Sequence, residues 1–190
     1  MTNAADDAEL MARVQRGDDV ALASLYDRHG GRAYALAFAI LSNSHDAEDA
    51  VARAFAQVWS GRDRYEASQG AFVAWFNTIV RSRSLDLYRS RQRRTRAHDA
   101  VGEDPEVNWQ FPAPDEVVDR DRARGRVREA LNQLPAELSR PLALAYFRGM
   151  SHSEIAVALE LPLGTVKTRI RAAMRDLRSS LENAAEVGVS

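Results

Sequence analysis

A chain of 190 residues, 45% hydrophobic and 28% charged, is long enough for one or two compact domains, and two small helical ones suit its pattern. The net charge of −1 says nothing by itself about partners, and the lack of cysteine excludes disulfides and thiolate metal sites, which suits a reducing compartment. The opening MTNAADDAELMARV is acidic without the apolar core of a secretory signal, and no apolar run approaches bilayer-spanning length, so a cytoplasmic protein without membrane insertion is expected.

Leu10, Met11 and Val14 predict a short first helix, and Gly17 a stop, with Asp18 or Asp19 capping the next helix. That second helix should span about 20–41, with Leu22, Leu25, Tyr26, Ala33, Leu36, Ala37 and Ile40 as its apolar positions. Gly30 and Gly31 lie inside it, each costing about 1 kcal/mol relative to alanine, and predict a weak point or bend. Ser44-His45-Asp46 opens a third helix, HDAEDAVARAFAQVW. Val51, Phe55, Val58 and Trp59 share one of its faces, and Asp46, Asp49 and Arg53 the opposite one. His45, Asp46, Glu48 and Asp49 can be read as metal ligands, but the helix dipole favours acids in a first turn, so no metal site is expected.

Residues 61–70, GRDRYEASQG, predict a loop. A long helix comes next, with Phe72, Trp75, Phe76, Ile79 and Val80 as its apolar stripe. The same wheel brings Arg83 onto that stripe, so either the helix slips near Ser82 or the arginine lays its stem on the core with its guanidinium in water. Charge is segregated locally: 81–96 carries seven arginines against Asp86, and 99–121 eight acids against Arg120. That pattern separates a basic binding surface from an acidic linker. Tyr65, Trp75, Phe76 and Tyr88 interleave with Arg81, Arg83, Arg89 and Arg91, as aromatics and cations do where proteins hold unstacked bases. Most of these rings serve the core, and only Tyr65 and Trp75 are expected near nucleic acid. The acidic stretch HDAVGEDPEVNWQFPAPDEVVDRD holds three of the six prolines and reads as a flexible linker, whose Trp109 and Phe111 should dock on a domain or partner.

Residues 122–134 read as helix, and LPAELSRPLALAYFRGM offers Leu138, Leu142, Ala145 and Tyr146 for packing against residues 151–181. Those residues have the pattern of a helix-turn-helix. Ser151 and Glu154 stand at capping-box spacing, Ile155, Ala156 and Leu159 form an apolar face, and Leu161-Pro162-Leu163-Gly164 makes the turn. The second helix should start near Leu163 and bury Val166, Ile170, Ala173, Met174 and Leu177. Thr165, Lys167, Thr168, Arg169, Arg171, Arg175 and Arg178 then face outward, a basic face with short donors that suits a DNA major groove. After Leu181 the sequence reads as a frayed tail, and no strand pattern persists anywhere, so the fold class is all-α.

Three motifs in order, HDAEDAVARAFAQVW, GAFVAWFNTIVRSRSLDLYRSRQRR and LNQLPAELSRPLALAYFRGMSHSEIAVALELPLGTVKTRI, make nearly the whole chain resemble a bacterial RNA polymerase sigma factor of the extracytoplasmic-function (ECF) group. The resemblance implies two small helical domains joined by an acidic flexible linker. Residues 1–96 would melt the promoter at the −10 element and bind the polymerase clamp, 97–122 would be the linker, 123–183 a −35-binding helix-turn-helix domain and 184–190 a tail. It further implies that Asp46, Asp49 and Arg53 dock on the clamp coiled coil. The loop around Tyr65 and the middle of the long helix, including Asn77 and Ser82, would form a pocket for a flipped −10 base, within a surface that includes Trp75, Arg81, Arg83, Arg89 and Arg91. Lys167, Thr168 and Arg171 match positions that reach −35 bases, and Thr165, Arg169 and Arg175 positions placed for phosphate. The linker would thread the polymerase's active-site and RNA-exit channels. Implied partners are core RNA polymerase, promoter DNA that is duplex at −35 and melted at −10, and an anti-sigma protein, with no cofactor. The chain departs from the family pattern at Ala52-Arg53, where a Gln-Glu pair is usual, and at Ala172, where an arginine is common.

No nucleophile–base pair stands out, so catalysis is expected to stay with the polymerase and the chain is not expected to be an enzyme. The alternative from another class is a stand-alone helix-turn-helix regulator with an N-terminal sensor domain, binding duplex DNA as a dimer. A small hydrolase built on His45 and its neighbouring acids is remote. The second basic surface at 81–96 separates these readings, because a duplex-only regulator has no use for it.

Overall fold

The computed structural model describes the backbone of residues 4–98 and 129–187 and the side chains of 6–94 and 129–182. Among the described residues there is no strand, and the helices gather into two compact units, one from 4–98 and one from 129–187. The expected linker, apart from residues 97 and 98, lies outside the described residues, with Trp109, Phe111 and the expected helix start at 122–128.

The first unit comprises α1 (Ala4–Gln15), α2 (Asp19–Leu41), α3 (Ser44–Ser60) and α4 (Phe72–His98). Local chemistry sets the boundaries. Gly17 takes φ 90°, a left-handed turn that suits glycine, and ends α1. Asp18 caps α2 by accepting the Ala21 N–H at 3.0 Å, while its other oxygen accepts from Arg13 at 2.8 Å. The Ala21 amide first, and Arg13 second, hold this carboxyl below its usual range. Gly30-Gly31 does not interrupt α2, because His29, Gly30 and Ala33 are buried and packing outweighs the glycine penalty of about 1 kcal/mol each. Ser42 closes α2 at φ 52°, and the Asn43 side chain caps α3 by accepting the Asp46 N–H at 2.9 Å.

α2, α3 and α4 pack on one another, and α1 lies against α2. At the centre Phe72 and Phe76 stack at 5.4 Å, with Phe55 tilted against Phe76 at 4.5 Å. The two alternatives for α4 resolve into a third arrangement. Ser84 takes the buried position beside Leu85 and returns its hydroxyl to the Val80 carbonyl at 2.8 Å. Arg83, half-buried, donates from Nε to the Gln57 Oε1 of α3 at 2.7 Å.

The second unit comprises a helical turn at 129–133, α5 (Ala136–Phe147), α6 (His152–Ala158) and α7 (Leu163–Val187). Leu144, Ile155 and Val166, one from each helix, meet at its centre, with Leu159, Leu161 and Ile170 packed around them. Both halves of the capping box form: the Ser151 hydroxyl accepts the Glu154 N–H at 3.2 Å, and Glu154 accepts the Ser151 N–H at 2.7 Å. The turn into α7 is made by Glu160 at φ 52°, after which the Leu161 N–H returns to the Ala156 carbonyl at 2.9 Å.

Three expectations are corrected in this unit. Met174 is 56% exposed rather than buried, because eight residues beyond Val166 it falls on the shoulder of the apolar stripe. Tyr146 is 42% exposed and meets Phe147 edge-on at 4.9 Å instead of filling the core. The backbone of α7 continues past Leu181 to Val187, so the expected tail begins as helix.

Candidate nucleic-acid interface

The first turns of α7 present Lys167, Thr168 and Arg171 as exposed side chains. Lys167 and Arg171 hold no ion pair among the described residues, so both cations are available to a polyanion. The Thr168 hydroxyl donates back to the Gly164 carbonyl at 2.9 Å, which leaves its oxygen lone pairs and methyl outward. Arg175 is exposed and only loosely held by Asp176 at 3.4 Å. Thr165 and Arg169, expected on the same outer face, are half-buried. Arg169 lines a cleft with Glu137, Arg140, Pro141, Leu159 and Leu161, and so belongs to the seam between α5 and the turn.

The residues expected around the −10 base divide between two sides of α4. Trp75, Ser82 and Arg89 recur at intervals of seven and share a stripe, whereas Asn77 and Arg81, four residues apart, lie together on another flank of the helix and are half-buried. Arg83 and Arg91 turn toward α3 instead: Arg83 bonds Gln57, and Arg91 lies 3.3 Å from Asp46. An expected DNA contact and an expected polymerase contact are therefore partners of each other. The remaining expected polymerase residues, Asp49 and Arg53, form an i,i+4 pair at 2.9 Å.

Tyr65 is a correction. Its ring, expected to meet nucleic acid, is only 6% exposed, packed against Trp75 at 5.4 Å and Phe72 at 6.0 Å. The hydroxyl donates to the Gly70 carbonyl at 3.3 Å, and burial, with the charge of Asp7 second, pushes its pKa up. An aromatic flanked by arginines resembles a base platform in sequence, but the pocket between α1 and α4 takes the ring inward. What the loop offers outward is Asp63, Arg64 and the run from Glu66 to Gly70.

Two features carry no sequence signal, because their partners are distant along the chain. The Gln15 amide donates to the carbonyls of Arg62 at 3.2 Å and Tyr65 at 2.9 Å, tying α1 to the loop. Asp7, 2% exposed, accepts from Arg28 at 2.9 Å and stands 3.0 Å from the Nε2 of His29, whose N–H is poorly aligned with it. Burial depresses the pKa of His29 more than Asp7 raises it, with Arg32 and Arg28 depressing it further, so the ring is neutral at pH 7.

No described helix is long and apolar enough to cross a membrane. Residues 25–94 match the family model of sigma-70 region 2, and residues 124–177 that of sigma-70 region 4. The ECF RNA polymerase sigma factor SigK of Mycobacterium tuberculosis (strain H37Rv) is 30% identical over 180 residues, covering 91% of this chain and 92% of its own. SigE of Mycolicibacterium smegmatis is 32% identical over 169 residues, covering 87% of this chain and 64% of its own. Among solved structures, Rhodobacter sphaeroides SigE in complex with the anti-sigma ChrR aligns with 25% identity and a TM-score of 0.45, over 94% of this chain and 99% of that one. A region 2 bundle followed by a region 4 helix-turn-helix, in a chain that aligns almost end to end with SigK, makes this protein a member of the ECF sigma factors of RNA polymerase.

Proposed function

We propose that this sigma factor divides promoter recognition between its two units, with 123–183 gripping closed duplex at −35 and 1–96 holding the opened −10 strand, across a linker at 97–122. The observation that carries this reading is the presence of a basic surface on each unit: the arginines of α4 on one and the first turns of α7 on the other. Lys167, Thr168 and Arg171 reach −35 bases, and Arg175, with Thr165 and Arg169 nearer the seam, serves phosphate. Trp75, Asn77, Arg81, Ser82 and Arg89 line the opened strand together with the outward residues of the 61–70 loop. Asp46, Asp49 and Arg53 on α3 meet the polymerase, where Arg91 and Arg83 support them from α4.

Unstacking a base pair costs a few kcal/mol per step, which capture of flipped bases and contacts with the larger enzyme can offset. A small bundle alone has little surface for that task, so the chain is expected to bind promoter duplex poorly and to direct initiation only with core polymerase. It makes no bond itself and acts where polymerase and chromosome meet, in the cytoplasm. By analogy with the anti-sigma partner of Rhodobacter sphaeroides SigE, an inhibitor protein covering these basic surfaces is a further proposed partner.

In vitro transcription from a cognate promoter, with and without the chain, tests the reading. Promoter-specific transcripts should require both chain and core enzyme. Tight, specific duplex binding with no effect on core polymerase would favour the stand-alone regulator. Within the second unit, Lys167→Ala or Arg171→Ala should weaken −35 use by about 1–3 kcal/mol if a bidentate base contact is lost. Equal weakening on all sequences, with a smaller salt slope, would reassign the residue to phosphate.

A further inference from the structure

We propose that Gln15 of α1 is a positioning residue for the promoter base captured at −10, acting by fixing the 61–70 loop in one register against α4. The inference rests on the proposed role of that loop. Between Gly61 and Gly70 the backbone makes two short 3₁₀ turns, Arg62–Arg64 and Ala67–Gln69, joined at Tyr65 and Glu66. Such turns are poor in internal hydrogen bonds and hold one geometry only when pinned from outside.

Here the pins are visible. The Tyr65 ring is buried, and its hydroxyl closes the second turn on Gly70 at 3.3 Å. The first turn is held at both ends by one group: the two hydrogens of the Gln15 amide go to the Arg62 and Tyr65 carbonyls at 3.2 and 2.9 Å. Opposite orientation of the amide would set its oxygen against two carbonyls, so the donor assignment is the only one that bonds. α1 is itself a firm support. Asp7 fastens it to Arg28 of α2, and Arg13 fastens its end to Asp18 at 2.8 Å. Gln15 thus transfers the rigidity of the bundle to a loop whose side chains Arg64, Glu66, Ser68 and Gln69 stand in solvent, while Tyr65 among them packs on Trp75 at 5.4 Å.

The test uses holoenzyme reconstituted from core polymerase and the full chain, with promoter fragments carrying each of the four bases at the flipped −10 position. Gln15→Glu puts a carboxylate against both carbonyls, and Gln15→Ala removes the amide without adding charge. Both should reduce discrimination between the best and worst base by about two- to tenfold, the loss expected when one or two hydrogen bonds go. Discrimination among −35 sequences should stay as in the wild type. Full retention of −10 discrimination in both variants overturns the inference, as does an equal fall at −35, which would mark general damage. A third variant, with Glu66, Ser68 and Gln69 replaced by glycine, separates the two levels. If it discriminates as wild type, the loop is not the base pocket and the inference falls with that reading. If it loses discrimination while both Gln15 variants keep it, the inference alone falls.

Discussion

Phe76→Ala is expected to destabilise the first unit by about 3–5 kcal/mol, the range for truncating a buried aromatic. Phe76 is 1% exposed and stands between Phe72, stacked at 5.4 Å, and Phe55, tilted at 4.5 Å, so α3 and α4 meet through it. Neighbours fixed by their own helices cannot collapse into the space. With domain stabilities of about 5–15 kcal/mol, that loss removes a large share of the margin. Urea unfolding followed by fluorescence of Trp59 and Trp75 should show the midpoint falling for this unit. Because the second unit has its own centre at Leu144, Ile155 and Val166, its −35 binding should persist while promoter opening fails. A loss below about 1 kcal/mol would mean that the stack is not where the bundle is held.

Features that depend on residues three or four apart were legible in the sequence, and features that depend on distant partners were not. The capping box of Ser151 and Glu154, the stop at Gly17, the cap at Asp18 and the start of α7 all form where local spacing predicts them. Arg83 could be seen to conflict with the stripe of α4, but its solution lies 26 residues away in Gln57. The same holds for Gln15, which is 47 and 50 residues from the carbonyls it holds. Tyr65 misleads for a further reason: whether a ring flanked by arginines faces a base or a core depends on which helix arrives to cover it. Met174 misleads through width, since a helical stripe read from apolar residues alone takes in its shoulders.

The pairing of Arg91 with Asp46 bears on how the first unit would serve the two partners proposed for it. Their side chains are 54% and 31% exposed and 3.3 Å apart, so the pair is worth under about 1 kcal/mol after screening. A contact that weak does not withhold either side chain from a macromolecule. It does favour one register of α4 on α3, as the bond from Arg83 to Gln57 at 2.7 Å does a little more than two turns earlier. The surface proposed for the opened strand and the helix proposed to face the polymerase are thus joined by side chains as well as by the aromatic core.

Asp7→Ala is expected to destabilise the first unit by about 1–3 kcal/mol, because it strips the acceptor from Arg28 and removes the carboxylate that stands 3.0 Å from the buried His29. The figure stays below that for a fully buried ion pair, since the Arg28 side chain is 33% exposed and His29 is neutral. The same cluster gives the unit a pH dependence. Burial lowers the pKa of His29 in the folded chain below the 6.5 of an unfolded one, against the pull of Asp7, with the nearby Arg32 and Arg28 lowering it further and Phe72 packed on the ring at 5.3 Å. Below pH 6.5 the unfolded chain therefore takes up a proton that the folded one refuses. Stability contributed by the neutral ring is complete above that pH and declines as pH falls from 6.5 through the folded-state value. His29→Gln, which titrates in neither state, should lose less stability than the wild type between about pH 7.5 and 5.5 in parallel urea titrations. Equal losses would mean that the imidazole is reached by water and protonated in place, and that the buried contact with Asp7 does not hold in solution.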